Sequence, residues 1–417
     1  MVQVFMASWP LFFGILLLMV GNGLQGSLMG VRGGAAGFSA FTMSVVISAY
    51  FLGFMIASRL APEMIRRVGH VRVFAALGSL ISAALIMFPT LEHPAVWILM
   101  RVILGFCFCG VYVTSESWLN NAATNDTRGQ ALSLYMITQM LGIILAQSLL
   151  VLPDASGYLL FVIPSVLVSI AFAPILLAIS PTPAFESTKP MNLKELFRAS
   201  PLGFVGMSLM GAVFALQFGM AAVFASEAQF TIRETSIFVA AFYVGALVFQ
   251  YPLGWLSDRI DRRVLIAVVA LFGGIAGVVG LLFTGAFPIV VAAAVFIGGA
   301  ANPLYSLLIA YTNDYLERED MASASAGLMF VNGVGAIVGP LVTGYLMQVV
   351  GPRGFFVLIA VPMLCLTAYA FYRMTKRAAP SVDDTGSYTY YAPTGTVVSM
   401  EYAAEDEEAE QATSSAS

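Results

Sequence analysis

The chain has 417 residues, of which 59% are apolar and only 10% carry a charged side chain, and its mean hydropathy is +0.88. A soluble chain of this length would carry about 25% charged residues, so the composition excludes two or three water-exposed domains. The formal net charge of −4 comes from the C-terminal end, because eight acidic residues and no basic residue follow Arg377. We therefore expect a protein whose main solvent is lipid.

Twelve apolar runs follow one another along the chain, each about as long as the ~20 residues that a helix needs to cross a bilayer. The first run is too long for a signal peptide and has no basic segment before it, so we predict that it is retained as a span. The twelve predicted spans lie near residues 9–30, 39–58, 72–90, 95–117, 129–151, 158–180, 202–225, 236–256, 264–284, 287–312, 321–348 and 354–373.

The basic residues are divided unequally between the two sets of loops that twelve spans create. Fifteen of the nineteen lie in the termini and in the loops that share their side of the membrane. The opposite loops hold only Arg32, Arg233 and Arg353, and Arg101 lies within a span. Loops rich in lysine and arginine face the cytoplasm, so the sequence predicts that both termini are cytoplasmic.

The spans and loops divide the chain into four parts. Residues 1–180 and 201–375 hold six spans each and are predicted to form two helical bundles. Between them, residues 181–200 form a predicted cytoplasmic linker, in which 191–198 has the pattern of a short amphipathic helix on the membrane surface. Residues 376–417 are rich in Ser, Thr, Tyr, Gly and acidic residues and are predicted to be a disordered acidic cytoplasmic tail.

The second half repeats features of the first half at a shift of 192 residues. Many transporters are built from two such six-helix units, with the substrate site between the halves near the middle of the bilayer. The residues that coincide are Gly53 with Gly245, Arg67 with Arg259, His70 with Arg262, Asn121 with Asn313, and Ser133 with Ser325.

The loop between the eighth and ninth spans carries a motif. Gly254 is followed after three residues by Asp258 and Arg259, and then by the basic pair Arg262 and Arg263. This pattern is similar to the loop signature of the major facilitator superfamily. In the first-half copy of the motif, an arginine at position 66 replaces the aspartate of the family.

Further elements extend the resemblance over about residues 5–375. Arg101 and Gly105 in span four are similar to the intramembrane arginine–glycine element of the superfamily. Span eleven, from Gly335 to Gly344, is similar to the glycine–proline element that antiporters usually carry in span five, which lacks it here. The run that begins at Glu116, Glu-Ser-Trp-Leu-Asn, resembles an uncharacterised bacterial inner-membrane branch.

The resemblance implies an all-α polytopic membrane protein with twelve transmembrane helices in two pseudo-symmetric six-helix bundles. It also implies secondary transport of a small solute by alternating access, in which the two bundles rock about a central cavity. We expect such a protein to lie in the bacterial inner membrane.

Arg101 is the most informative single residue of the predicted cavity. An arginine near the middle of a bilayer costs at least ~2.5 kcal/mol, so it should face protein or water. On a helix it shares a face with Gly105, Tyr112 and Glu116, but Arg101 and Glu116 are about 22 Å apart and cannot pair. We consider two interpretations: Arg101 contacts substrate or a carboxylate in a cavity, or it is a structural arginine bonded by helix carbonyls or an outer-loop acid.

Other polar side chains within the spans are also candidates for the cavity, because a polar group that faces lipid lacks hydrogen-bond partners. Each of them could instead hold neighbouring helices together. They are Asn22 and Gln25 in span one, Tyr112 in span four, Tyr135 and Gln139 in span five, and Gln217, Tyr243, Gln250, Asn302, Tyr305 and Asn332 in the second half.

Charged side chains in the basic loops are candidates for a cytoplasmic gate. Asp258 ends span eight, where helix carbonyls carry partial negative charge, so it should dock on a neighbouring helix start or on nearby arginines. Glu116 either pairs with Arg67 or Arg128 to close the gate or titrates protons that drive transport. The candidates are Glu63, Arg66, Arg67, Glu116, Arg128, Gly254, Asp258, Arg259, Arg262 and Arg263.

The substrate class stays open between a small organic anion or polar metabolite, which Arg101 favours, and an amphipathic, drug-like compound for efflux, which the 31 Phe and 21 Met residues favour. A function of another class is a transport-inactive sensor or scaffold that acts through the tail. We expect no enzyme, because paired carboxylates, Ser/His partners and metal ligands at one depth are missing from the sequence. The sequence contains no glycine–lysine motif of a phosphate-binding loop, so we do not expect ATP to drive transport.

The expected partners follow from this interpretation. They are membrane lipid, a small-molecule substrate and a coupling proton or ion, without nucleic acid. With two histidines and three cysteines, the chain is predicted to hold no cofactor and no metal site of familiar spacing. We expect the protein to act as a monomer.

Overall fold

A computed structural model shows the chain as an assembly of long helices. It describes residues 2–122, 128–151, 158–177, 191–316, 318–376 and 388. Across these ranges the backbone is helical apart from short turns and short connecting segments such as 91–93. The linker residues 178–190 lie outside the described residues, and of the predicted tail the structure describes Lys376 and Tyr388.

Each half of the chain contributes one bundle. The first half consists of α1 (Val2–Ala35), α2 (Ala40–Val68), α3 (His70–Thr90), α4 (Pro94–Ala122), α5 (Arg128–Leu150) and α6 (Leu159–Leu177). The short α7 (Leu193–Ala199) follows. The second half consists of α8 (Pro201–Ala215) and α9 (Ala221–Glu227), joined by a π-helical turn at Leu216–Met220, then α10 (Ile232–Ser257), α11 (Arg262–Leu282), α12 (Phe287–Asn313), α13 (Arg318–Val350) and α14 (Gly354–Met374).

Twelve of these segments have the composition of membrane spans. Length and hydropathy identify ten stretches of the described chain as able to cross a bilayer. One of them, Asp320–Met374, is 55 residues long and is divided by a single 3-10 turn at Gly351–Arg353 into α13 and α14. A shorter apolar stretch, Leu159–Pro174, belongs to α6. Within the described ranges these stretches therefore give twelve apolar helices, and the predicted fold class is confirmed.

The two bundles repeat the same packing. In the first half α2 packs on α4, α1 on α5 and α3 on α6, and in the second half α10 packs on α12, α8 on α13 and α11 on α14. Each helix of one half therefore has a counterpart with equivalent neighbours in the other half. This is the pseudo-symmetry that the shift of 192 residues predicts.

Glycines at two equivalent crossings let the helix backbones touch. In the first bundle, a side-chain carbon at Gly105 of α4 would overlap the carbonyl oxygen of Tyr50, and one at Gly53 of α2 would overlap a carbonyl oxygen of α4. In the second bundle, Gly245 of α10 and Gly298 of α12 meet carbonyl oxygens of the partner helix in the same way. Small residues allow this approach, through which helices in lipid gain packing energy.

The two ends of the bundles differ in charge. The α2–α3 turn at Gly69 and the α10–α11 turn at Asp258–Asp261 lie at one end, which also carries α7. We call this end the basic side, because the sequence places most arginines there, and the other end the opposite side. In α7, Asn192 accepts a hydrogen bond from the amide of Lys194, Leu196 is buried, and Phe197 is exposed. A short helix thus lies where the amphipathic pattern predicts one.

The glycine crossings lead to a prediction about stability. The substitution Gly105→Ala should destabilise the folded protein by about 2 kcal/mol or more, since the added methyl group must push α2 and α4 apart. Thermal unfolding of the purified protein in detergent measures the loss. Gly285→Ala is the matched control, because a side-chain carbon at Gly285 meets nothing within 4 Å. Equal melting temperatures for the two variants would contradict the packing argument.

Candidate functional site

A cleft of about 780 Å³, counting the space at its mouth, lies between α2, α8, the π-helical turn and α13. Its walls are mainly aromatic and thioether side chains, with a few polar groups. The lining residues are Tyr50, Phe51, Phe54, Met55, Ser58, Arg59, Phe214, Phe218, Ala326, Met329, Phe330, Asn332, Gly333 and Ala336. Because α2 runs toward Gly69 and α13 starts at the basic side, Ser58, Arg59 and Ala326 lie at the basic end of the cleft.

The bundles touch each other at the opposite side. The hydroxyl of Ser48 on α2 donates to the carbonyl oxygen of Ile337 on α13, 2.8 Å away. At the second interface between the bundles, the hydroxyl of Ser236 on α10 donates to the carbonyl oxygen of Gln147 on α5. Gly30 of α1 packs closely on α9. The structure is therefore sealed at the opposite side, while the cleft extends into the basic half.

Arg101 is fully buried at the end of a chain of hydrogen bonds in the first bundle. Its Nη1 donates to Oε1 of Gln25 at 2.7 Å, and Nε2 of Gln25 donates to Oδ1 of Asn22 at 3.0 Å. The Nδ2 of Asn22 donates to the hydroxyl of Tyr112 at 2.7 Å and of Tyr50 at 3.4 Å. The structure thus brings three predicted cavity residues, Gln25, Asn22 and Tyr112, together with Tyr50 around the Arg101 cation.

Two other donors of Arg101 find no acceptor in the described part of the chain. Its Nε and Nη2 are buried and have no hydrogen-bond partner among the described residues. The guanidinium carbon lies 5.3 Å from the ring centroid of Tyr50, a cation–π contact. In the described part of the chain, Arg101 therefore bonds neither a helix carbonyl nor a carboxylate, which leaves two donors in the geometry that suits an anion.

Tyr50 connects this cluster to the cleft. Its ring lines the cleft and packs against Phe218, with 5.3 Å between the centroids, while its hydroxyl faces Asn22. Tyr50 and the phenylalanines of the cleft were not predicted as site residues, because aromatic residues are equally expected at a lipid-facing surface. The usable signal was the helical spacing of Tyr50 and Phe54 and of Phe214 and Phe218, which places aromatic pairs on one face.

The second bundle holds a smaller group of amides. The Nδ2 of Asn302 lies 3.3 Å from Oε1 of Gln217 and 3.2 Å from a helix carbonyl oxygen. The Nε2 of Gln217 and the hydroxyl of Tyr305 are buried and have no hydrogen-bond partner among the described residues. Gln217 lies in the π-helical turn and at the repeat position of Gln25, so the two halves place a glutamine at equivalent points.

The remaining predicted cavity residues are dispersed. Asn332 lines the cleft and donates to the carbonyl oxygen of Met207 at 3.1 Å. Tyr243 is buried in α10, on the face that carries Ser236. Tyr135 and Gln139 are buried in α5, away from the cleft lining, and the hydroxyl of Tyr135 donates to Oε1 of Glu116 at 3.1 Å.

The predicted gate of the first half is only partly as expected. Arg67 does not pair with Glu116; its Nε bonds Glu63 at 2.6 Å, and Arg66 bonds the same carboxylate. The two arginines are largely exposed, so these ion pairs contribute little to stability. Glu116 itself is buried in α4, and the side chain of Arg128 lies outside the described residues.

In the second half, the buried partner of Arg262 is an acid that the sequence analysis missed. Arg262 pairs with Asp314 at the end of α12, and both side chains are almost fully buried. It also donates to the hydroxyl of Ser257 at 3.1 Å, whereas Asp258 lies 3.6 Å away and is 39% exposed. Asp258 therefore makes the weaker contact with this arginine, because Asp314 occupies the short, desolvated position.

Asp261 and Arg259 complete the loop. Asp261 caps α11 by accepting a hydrogen bond from the amide of Arg263 at 2.9 Å and also bonds its guanidinium group. Burial opposes ionisation of Asp261, but the bonds from Arg263 outweigh it, so the pKa of this carboxyl is lowered. Arg259 lies over the ring of Trp255, 4.0 Å from its centroid, and bonds no acid in the described chain.

The Arg262–Asp314 pair leads to a second prediction. The substitution Asp314→Asn should lower the free energy of unfolding by about 3 kcal/mol, because it removes the closest and most buried carboxylate that pairs with the buried charge of Arg262. Asp258→Asn should cost less than about 1 kcal/mol, since that carboxylate is exposed to water. Melting temperatures of the two variants in the same detergent test this difference. A larger loss for Asp258→Asn would contradict the assignment.

Comparisons with known proteins agree with this geometry. The family model of the Major Facilitator Superfamily matches residues 11–232 and 202–397. The chain is 25% identical over 369 residues to the uncharacterised MFS-type transporter YfkF of Bacillus subtilis, covering 86% of this chain and 94% of the relative. It is 26% identical over 356 residues to the uncharacterised MFS-type transporter YcaD of Salmonella typhimurium, covering 84% and 91%.

Solved structures show the same fold. The nucleoside transporter NupG, crystallised as a point mutant, superposes with a TM-score of 0.75 at 14% identity, over 88% of this chain and 99% of the other. A bacterial homologue of the human lysosomal transporter Spinster, inward-facing and occupied, gives 0.70 at 14% identity, over 90% and 97%. Since the family model spans most of the sequence, the chain belongs to the major facilitator superfamily, a family of multi-pass membrane transporters.

Proposed function

We propose that this transporter carries small organic anions with an apolar body across the bacterial inner membrane by alternating access. The observation that carries the proposal is Arg101, a buried guanidinium group of which two donors have no partner among the residues that the structure describes. A buried cation without a counter-ion is costly, and a bound carboxylate or phosphate would supply both the charge and the acceptors. The amides of Gln25 and Asn22 hold the guanidinium group in place, so binding requires little reordering of this side chain.

Tyr50 supports a route from the cleft to Arg101. The cleft lining does not include Arg101, and the Tyr50 ring lies between the two. Its hydroxyl accepts a long hydrogen bond from Asn22 at 3.4 Å and also bonds the hydroxyl of Tyr112, so a substrate that displaced the ring would have to offset the loss of these two contacts. An anion that replaced the ring would exchange a cation–π contact for a charge-assisted hydrogen bond.

The walls of the cleft favour a substrate with an apolar part. Phe51, Phe54, Phe214 and Phe218 surround the space next to Tyr50, and Arg59 lies at the basic end with its guanidinium carbon 4.7 Å from the centroid of Phe330. Aromatic walls bind apolar groups, and an exposed arginine at the entrance attracts anions. The same walls suit efflux of amphipathic compounds, and that alternative differs in that it does not need Arg101.

The orientation of the protein is a further part of the proposal. We place the basic side in the cytoplasm, with both termini there, because arginines and lysines concentrate at that side. The structure then represents a monomer open to the cytoplasm. Transport would require the Ser48–Ile337 and Ser236–Gln147 contacts to break while equivalent contacts form at the cytoplasmic side.

For coupling to a gradient, our candidate is Glu116. Its carboxylate is buried in α4, accepts a hydrogen bond from Tyr135 and acts electrostatically on Tyr305 of α12 in the second bundle, so its environment would change if the bundles rocked.

The substrate assignment predicts a specific loss of transport. Arg101→Gln should reduce anion uptake about 10- to 100-fold, because a hydrogen bond to a charged group is worth about 1.5–3 kcal/mol. Arg101→Lys should keep more of the activity, and Arg59→Gln should lower the rate only a few-fold. Uptake of labelled aliphatic and aromatic carboxylates into proteoliposomes measures this, with melting temperature as the control for folding. Unchanged anion uptake in Arg101→Gln would refute the assignment.

The proposed state and orientation predict a labelling pattern. A chain without its native cysteines would carry either Ser58→Cys in the cleft or Ser48→Cys at the sealed contact, both on α2 and both facing α13. A membrane-impermeant maleimide should label position 58 from the cytoplasmic face at a higher rate than position 48. Labelling of position 58 from the periplasmic face alone would show that the orientation is wrong.

A further inference from the structure

Tyr388, which lies beyond the last membrane helix, is bound at the basic end of the second bundle. Its backbone amide donates to Oδ1 of Asp258 at 2.7 Å, and Nε2 of Gln250 donates to its hydroxyl at 2.6 Å. Its ring lies on Gly254, where an added side-chain carbon would be 2.8 Å from Cδ1 and Cε1. The hydroxyl of Ser306 on α12 also bonds the phenol. The main chain, the ring and the hydroxyl of Tyr388 are therefore all in contact with the second bundle.

The residues that receive Tyr388 form a notch that fits this side chain. Gly254 leaves room for the ring, and its three nearest neighbours on that side are all atoms of Tyr388. Gln250 and Asp258 lie one helical turn before and after Gly254. Gln250 supplies the donor to the Tyr388 phenol, and Asp258 supplies the acceptor for the Tyr388 amide. Burial raises the pKa of the Tyr388 phenol, which therefore stays protonated and keeps its hydrogen-bonding role.

The notch lies on the face of α10 that meets the first bundle. Ser236, Tyr243, Gln250 and Gly254 fall within about 40° of one another around this helix. At the opposite side, this face is sealed through the contact of Ser236 with Gln147 of α5. At the basic side, Tyr388 lies on this same face of α10.

The equivalent position in the first half indicates the role of this part of α10. Ser58 of α2 is at the repeat position of Gln250, and it lines the open cleft between α2 and α13. The end of α10 that holds Tyr388 is therefore equivalent to the wall of the open cleft. When the basic side closes, this face must pack on α5, as its other end does now, and Tyr388 has to leave.

We propose that Gln250, Gly254, Asp258 and Ser306 form a docking site for the C-terminal segment, and that Tyr388 bound there holds the basic side open. A group that binds one of two states shifts their equilibrium by its differential affinity. Tyr388 follows Lys376 by twelve positions, so the chain between them reaches about 40 Å when extended, enough to span a bundle, and such a tether gives millimolar effective concentrations. The inference rests on the alternating-access part of the proposed function and is independent of the substrate.

Cross-linking tests the docking itself. A photoreactive p-azidophenylalanine in place of Tyr388 keeps the ring and leaves Gly254 unchanged, so on illumination in membranes it should cross-link to α10, where Cδ1 and Cε1 of the Tyr388 ring lie closest to Gly254. The control carries the same photoreactive residue in place of Tyr402, a tyrosine of the same tail. Peptide mass spectrometry measures the yield of the cross-link to α10. The expected yield is about tenfold above the control, and equal yields would overturn the proposal.

Labelling tests the effect on the conformational equilibrium without using transport. The ratio of maleimide labelling rates at Ser58→Cys and Ser48→Cys reports how often each side is open. Tyr388→Ala should lower this ratio about tenfold, a shift of 1.4 kcal/mol, and Tyr388→Phe should lower it less. Gly254→Ala, which fills the notch and leaves the tail intact, should act in the same direction, and Tyr402→Ala should have no effect. An unchanged ratio in both Tyr388→Ala and Gly254→Ala would overturn the proposal.

Discussion

Lipid offers no hydrogen-bond partner, and this constraint determines where the polar groups of the protein can lie. Polar side chains within the helices must bond one another, which is why Gln25, Asn22, Tyr50 and Tyr112 collect around Arg101. Two donors of Arg101 bond nothing in the described ranges, and a buried guanidinium group that those residues satisfy only in part retains the capacity to bind an anion. Packing, substrate recognition and the position of the cleft thus follow from one property of the solvent.

Much of the fold could be predicted from the sequence because membrane spans have a strong, local signature. Hydropathy located the twelve helices, and the shift of 192 residues anticipated the paired crossings at Gly53 and Gly245. The amphipathic pattern marked α7. Each of these features depends on residues that are close in sequence or repeat at a constant spacing, and both can be recognised without coordinates.

The site was less accessible, since its contacts join distant helices. Polarity selected Arg101 and its amide partners, but the aromatic walls around Tyr50 resemble any lipid-facing surface until packing is known. Asp314 was missed as the partner of Arg262 because 52 residues separate them and Asp258 is nearer in sequence. For Tyr388, composition described only a polar tail, and nothing local indicated a binding partner in α10.

The π-helical turn at Leu216–Met220 has a mechanical consequence. It separates α8, which packs on α13, from α9, which packs on α1. A π turn adds one residue to the helical turn and interrupts the regular ladder of main-chain hydrogen bonds, and such turns are places where helices bend. The π-helical turn can therefore act as a hinge within one membrane span, between a part that packs on α13 and a part that packs on α1. Each end can follow its own neighbour without unwinding the rest of the helix.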